Sequence, residues 1–464
     1  MSERGLTIRF VEAIFGLGAR VRGDPAVFAR MDALVGDGIA VGLAGAAERG
    51  PTLLAEEAAA QSGRPAGDPS RAGATLLARE GRLPPVAAAR VNGAAMHVLD
   101  YEPMWNPANH AVSTVLPALL ALCETSAPET DGAALATAFA IGIEAQARLR
   151  RASRQFEPGD LVFHPPGVVG PIGAAVASAM LLRLDAETAV HAVGIAASRA
   201  GGVLANVGSM TKALHCGGAT ADGLEAALLA ARGFTADQDA LDGPRGFLNA
   251  FFGSDIDPGA LTEDRSLAVM DPGPAFKFYP SQYGTHFVIT AALELHAAIG
   301  RAASIDSVTI TCPPMPYVNR PSPPTGLAGK FSFQYVAAAA LLDGSVTLDA
   351  FTDARRFAPD MQALLPRIAI VPDPGRKGRF DEMRLDIELR LADGTSHHAM
   401  CDGPPGIWGR PAPAAWRATK LRDCLARAGL SAELDAQLGA VSYLDAGGLK
   451  TLIGSLGRHS GGDA

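Results

Sequence analysis

Residues 162–218 read VFHPPGVVGPIGAAVASAMLLRLDAETAVHAVGIAASRAGGVLANVGSMTKALHCGG. Within them, Val168–Leu182 and Ala186–Ala197 repeat apolar residues at three- and four-residue spacing, the period of helices. Ala, Gly and Val occupy most sides, so such helices can approach closely and be buried nearly all round. The same stretch places His164, His215 and Lys212 in apolar surroundings, with Asn206, Ser209 and Thr211 near the lysine. Buried imidazole and ammonium groups cost free energy unless they are paired or face a polar cavity. The stretch therefore reads as the middle of a helical body and the floor of an active site.

Upstream the composition is the same. Ala72–Leu77, Val91–Asp100, Val115–Cys123 and Gly132–Arg148 read as helices, as does Ala219–Ala230 downstream, and no alternating β pattern interrupts the chain before about Phe252. The start, MSERGLTIRFVEAIFGLGARVRG, reads as an amphipathic helix without the apolar core of a signal peptide. After the turn-rich SDIDPGALTEDRS and DPGPA the period changes. Ser307–Cys312 alternates, Ile368–Val371 is a short apolar run, and Glu382–Leu391 sets Met383, Leu385, Ile387, Leu389 and Leu391 against Arg384, Asp386, Glu388 and Arg390. Asp393-Gly394 turns the chain into a returning strand, Thr395–Met400. Helices are expected between these strands at Gly284–Ile299, Ser332–Leu342 and Ala358–Leu365. The tail from Pro413 to Leu456 is helical in pattern, matches the first part in composition and is expected to return to it, and the final RHSGGDA is expected to fray. The expected fold is mainly α. A large all-helical domain is formed by both chain ends (1–267 and 403–464), with a smaller inserted α+β lid domain (268–402).

Hydrophobic residues make up 48% of the 464 and charged residues 19%, enough for a large core and too little charge for general disorder. Forty Lys and Arg against 48 Asp and Glu leave a net charge of −8, and no basic arm offers a nucleic-acid surface. The five cysteines are scattered and form no CxxC, so neither a zinc site nor a disulfide framework is expected. The longest apolar runs, Ala133–Ile143 and Val168–Leu182, are too short to cross a bilayer, and a soluble cytoplasmic protein is expected.

Three polar sets stand out: NGAAMHVLDYEPMWNPANH (92–110), the 162–218 stretch, and KFYPSQYGTH (277–286) with MPYVNRP (315–321). Together they supply imidazoles, lysines, an arginine and phenols with few carboxylates. That inventory suits holding a small anion and moving protons on its carbon skeleton. Asp100 is placed to orient a histidine. His164 precedes Pro-Pro at an expected helix start, where backbone N–H groups favour an anion. Lys212 and His110 read as functional, while His97 is divided between a core and a supporting place. His191 reads as a satisfied core histidine, Cys216 as a small buried thiol, and His296, His397, His398 and His459 as surface groups. No HExxH, GxGxxG after a strand, GxxxxGK[ST] or GxSxG occurs, and no metal or cofactor is expected.

The motifs NGAAMHVLDY, PANH, FHPPGVVGPIGAA, GSMTKALHCG, GPRGF, KFYPSQYGTH, YVNRP and KFSFQYVAAAALLDG, in this order along almost the whole chain, resemble the MmgE/PrpD family. The resemblance implies a helical domain with an inserted lid, a homodimer and a cofactor-free site between the domains. It also implies dehydratase, decarboxylase or epimerase chemistry on a small di- or tricarboxylic acid. By that resemblance Asp100, His110, His164, Lys212, Lys277 and Tyr317 form the site, His110 and Lys212 moving protons and His164, Lys277 and Tyr317 binding carboxylates or assisting protonation. Gln282, Met104, Asn106, Arg320 and His286 join Lys277 as expected substrate contacts. The chain departs from the family pattern at Glu102-Pro103-Met104, where many relatives carry DD-T, at Asn106, where histidine is common, and at Gln282, which is histidine in the decarboxylases. Fewer polar contacts point to a less polar or differently substituted acid than a tricarboxylate. A lyase is the leading expectation, an epimerase the runner-up, and a non-catalytic binding protein the reading from another class.

Overall fold

The computed structural model describes residues 5–62, 73–300 and 304–430. The first part is a stack of helices whose ends follow local chemistry. Asp24, Asp131 and Asp185 each accept backbone N–H bonds at the starts of Pro25–Gly45, Gly132–Ala152 and Ala186–Ala197. Pro165-Pro166 opens the Pro165–Leu181 helix, where no N–H partner is needed. Small residues let these helices close up. A Cβ added at Gly217 in the Thr211–Ala230 helix would sit 2.3 Å from the carbonyl oxygen of Arg90 in the Pro85–Val98 helix. One apolar core runs through this part, from Phe10 and Met31 through Leu116, Phe139 and Ile172 to Val269, and takes in Leu425 from the far end of the chain.

Leu425 arrives on the Ala414–Arg427 helix, which packs on Pro25–Gly45. Its Lys420 Nζ lies 2.9 and 2.8 Å from the two Asp37 carboxylate oxygens and 2.7 Å from the Tyr101 carbonyl. Expectations for the later tail, including His459, lie outside the described residues.

A second core holds Phe287, Val308, Phe333, Tyr335, Leu385 and Ile387. Four strands build its sheet: β3 (Ile305–Cys312), β4 (Ile368–Pro372), β5 (Leu385–Leu391) and β6 (Ser396–Cys401), in the order β4-β3-β5-β6. β4 runs parallel to β3, with Val308 opposite Ile368, whereas β5 is antiparallel to both β3 and β6. The Tyr283–Ile299 helix covers β5 and β6 and packs against Phe333–Asp343.

Several expectations are corrected. The described part of the expected Ala72–Leu77 helix instead holds β1 (Ala74–Thr75), paired with β2 (Arg82–Leu83), so the first part is not wholly helical. Side chains satisfy its backbone: Thr75 N–H donates to Glu124, Asn92 donates to the Thr75 carbonyl, and Leu77 N–H donates to Asn92. The strand expected from Glu382 begins at Leu385, after a turn. His296 and His397 are half-buried rather than exposed, with His296 Nδ1 2.7 Å from the Leu341 carbonyl oxygen. Among the described residues no helix is long and apolar enough to cross a membrane.

Candidate active site

The site is built on the end of one helix. Pro85–Val98 stops just before Asp100, whose φ of +51° lies in the left-handed region that usually calls for glycine. Aspartate tolerates that conformation, and here it turns a carboxylate inward. Lys212 Nζ is 3.0 Å from Asp100 Oδ2, and Lys277 Nζ makes a very short contact with Oδ1 while donating to the Asp100 and Ser281 carbonyls at 3.0 Å each. Burial opposes ionisation of Asp100, yet Lys212 and Lys277 together hold it well below the usual carboxylate range. Burial, offset by Asp100, brings Lys277 down to about 8.

Three imidazoles gather around this ion cluster. His97 Nε2 is 2.7 Å from Lys212 Nζ and its Nδ1 is 2.6 Å from Glu102 Oε1. Glu102 also accepts the Ser113 N–H at 2.7 Å and the Ser113 hydroxyl at 2.6 Å. His110 Nε2 stands 3.8 Å from Asp100 Oδ1, and its Nδ1 has no hydrogen-bond partner among the described residues. His164 Nδ1 is 3.3 Å from His215 Nδ1. Burial, helped by the neighbouring lysines, keeps His97, His110 and His164 well below the ordinary histidine value, so they are neutral at physiological pH.

Beside these groups opens a cavity of about 380 Å³. Asp100, His110, His164 and Lys212 line one side, and Gln282, Tyr317, Arg320 and Met104 also reach its wall. Gln282 caps the Tyr283–Ile299 helix through Thr285 N–H and extends its amide to within 3.5 Å of the Tyr317 hydroxyl. Arg320 is held by the Tyr317 carbonyl at 2.9 Å. Leu161, Leu204, Val207, Phe331 and Phe380 supply apolar wall. Three residues expected to touch substrate are not on this wall. Lys277 is fully buried behind Asp100; His286 is buried between the Tyr279 and Tyr283 rings, 5.1 and 5.0 Å from their centroids; Asn106 turns its side chain to Asp381.

Comparison with known proteins places this arrangement. The MmgE/PrpD N-terminal domain matches residues 18–258 and the MmgE/PrpD C-terminal domain residues 279–443. The chain belongs to the MmgE/PrpD family. It is 36% identical over 340 residues to the cis-aconitate decarboxylases of Mus musculus and Homo sapiens, covering 71% of this chain and 70% of each relative. A cis-aconitate decarboxylase of Aspergillus terreus is 32% identical over 176 residues, 37% of this chain and 36% of that protein.

This MmgE/PrpD site also holds groups whose places the sequence did not disclose. His97 and Glu102 stand behind Lys212, and the buried Lys330 donates to the Leu99 and Pro280 carbonyls at 3.0 and 2.6 Å. Two sets, His97–His164–Cys216 and His97–Glu102–His110, have donor atoms within metal-binding reach of one another. Both need His97, and both its ring nitrogens are already engaged, by Glu102 and Lys212. A cation there would also face Lys212, so the arrangement is a hydrogen-bond network rather than a metal centre.

Proposed function

We propose that this chain is a cofactor-independent lyase that removes CO₂ or water from a small di- or tricarboxylic acid. The observation that carries the reading is Lys212, joined to Asp100 and His97 yet on the cavity wall, with His110 on the same side. Lys212 or His110 takes a proton from, or returns one to, the carbon beside a carboxylate, and Arg320 and Lys212 stabilise the enolate-like charge. In decarboxylation the carbon–carboxylate bond breaks, CO₂ leaves, and the retained electron pair is protonated. In dehydration the base takes the C–H proton, the C–O bond breaks, and the hydroxide leaves as water with a proton from Tyr317, which the base then replaces. His164 and Tyr317 bind carboxylate oxygens or assist protonation. The mainly helical body (1–267 and 403–464) forms the floor, the 268–402 body acts as a lid, and two copies form a cytoplasmic homodimer. Sedimentation at equilibrium tests the dimer: a mass near that of one chain removes it.

The test of the chemistry is carbon-bound hydrogen exchange in heavy water. NMR would follow cis-aconitate, 2-methylcitrate, itaconate and citraconate. Lys212→Ala and His110→Ala are expected to lower exchange and turnover by roughly 10² or more while circular dichroism stays unchanged. Activity surviving both changes ends this mechanism. Exchange without a new product identifies an epimerase, and no exchange with any acid identifies a binding protein. Dialysis against EDTA is expected to leave turnover unchanged.

A further inference from the structure

Lys212 is the front of a buried row. Its Nζ is 2.7 Å from His97 Nε2, and His97 Nδ1 is 2.6 Å from Glu102 Oε1. His97 is 1% and Glu102 0% exposed, and neither lines the cavity. The two are held independently: His97 by the last turn of Pro85–Val98, Glu102 by both donors of Ser113. Such spacing supports two proton arrangements of equal net charge.

We propose that Glu102 and His97 form a proton-holding relay for Lys212, an inference that rests on Lys212 being the base. A Lys212 N–H bond breaks and its proton bonds to His97 Nε2, while the His97 Nδ1–H bond breaks and that proton bonds to Glu102 Oε1. Ammonium, imidazole and carboxylate become amine, the other imidazole tautomer and carboxylic acid. Atoms and charge balance, and Lys212 presents a lone pair to the cavity without releasing a proton to bulk water.

The surroundings favour this exchange. Lys277 stays paired with Asp100, so an uncharged Lys212 does not orphan that carboxylate. Burial pushes Glu102 up to about 8, against the Ser113 bonds and the Lys277 and Lys212 charges. His97 stays neutral in both arrangements, held low by burial and then by Lys212. The remaining ionisable neighbours of Glu102 are His110, 3.7 Å away, and the Cys216 thiol, which burial and then Glu102 push well above its ordinary value. Neither competes for its proton.

Acetic anhydride acylates amines only in their unprotonated form, so the labelling rate of Lys212, read by peptide mass spectrometry against an internal amine of known titration, reports its neutral fraction without substrate. In the wild type the rate is expected to level off above about pH 8, where Glu102 is ionised and takes the lysine proton through His97. In Glu102→Gln the amide fills the same space but takes no proton. Labelling should match the wild type near pH 7 and keep climbing about tenfold per pH unit above pH 8, where the wild type levels off. His97→Gln cuts the row in the middle and should give the same slope, so it serves if Glu102→Gln does not fold. Glu102→Asp should partly restore the levelling. The exchange rate on cis-aconitate should show the same pH slope in kcat, with KM within about threefold. Parallel profiles in wild type and both relay variants overturn the relay. Exchange that survives Lys212→Ala overturns the base assignment instead, so the two failures are distinct.

Discussion

At the scale of residues, Met104 and Gln282 set the polarity of the cavity wall beside the charged groups. Met104 lines the cavity with a thioether, and Gln282 brings an amide to within 3.5 Å of the Tyr317 hydroxyl. A site that hydrogen-bonds a substrate oxygen rejects analogues lacking it far better than an apolar site does. Met104→Thr with Gln282→His is therefore expected to raise kcat/KM for cis-aconitate over citraconate by about tenfold or more. An unchanged ratio would remove these two positions from specificity. Lys212 and His164 were legible in sequence because a charge or imidazole in an Ala-Gly-Val run is costly unless something meets it. Glu102 was not, and His97 only as divided between core and support: they stand five apart across a helix end, and only the left-handed turn at Asp100 brings their side chains together behind Lys212. Lys277 and His286 share a motif with Gln282, yet they face the interior, because spacing does not report which side of a loop is buried.

At the scale of elements, the 2.7 Å contact between His97 and Lys212 depends on how closely Pro85–Val98 and Thr211–Ala230 approach. Gly217 sets that approach, since an added Cβ would meet the Arg90 carbonyl oxygen at 2.3 Å and backbone cannot yield as a side-chain tip can. Gly217→Ala is expected to cost about 1–3 kcal/mol in urea unfolding and to lower kcat as the helices separate. Gly218→Ala is the control. Its Cβ would meet only Asp222 Oδ2, at 3.9 Å, so the change should be neutral or mildly stabilising. If both variants behave alike, close approach is not what Gly217 provides. The strands of the sheet were legible because alternation survives in β5, where Leu385, Ile387 and Leu389 are buried and Glu388 and Arg390 exposed. The β1–β2 hairpin was not, because strands two residues long carry no period and owe their place to Glu124 and Asn92, distant in sequence.

At the scale of the whole molecule, the two cores meet around the site, and Lys330 is one of the ties between them. Its Nζ donates to Leu99 in the helical part and to Pro280 beside the sheet-bearing part, and it lies 4.4 Å from the Phe351 ring centroid. Burial lowers Lys330 from 10.5 to about 7. Between those values the unfolded chain binds the proton and the folded chain does not, so this group's contribution to stability rises with pH. The contribution is full above 10.5, is lost as pH falls to about 7, and changes little below that. Lys330→Met loses the hydrogen bonds at every pH but keeps no titrating group. The stability of wild type relative to Lys330→Met should therefore grow by roughly 2 kcal/mol between about pH 7 and pH 9 in urea unfolding. A difference independent of pH would mean that Lys330 stays charged in the fold, leaving a third ammonium beside Asp100 and a site more cationic than the relay behind Lys212 requires.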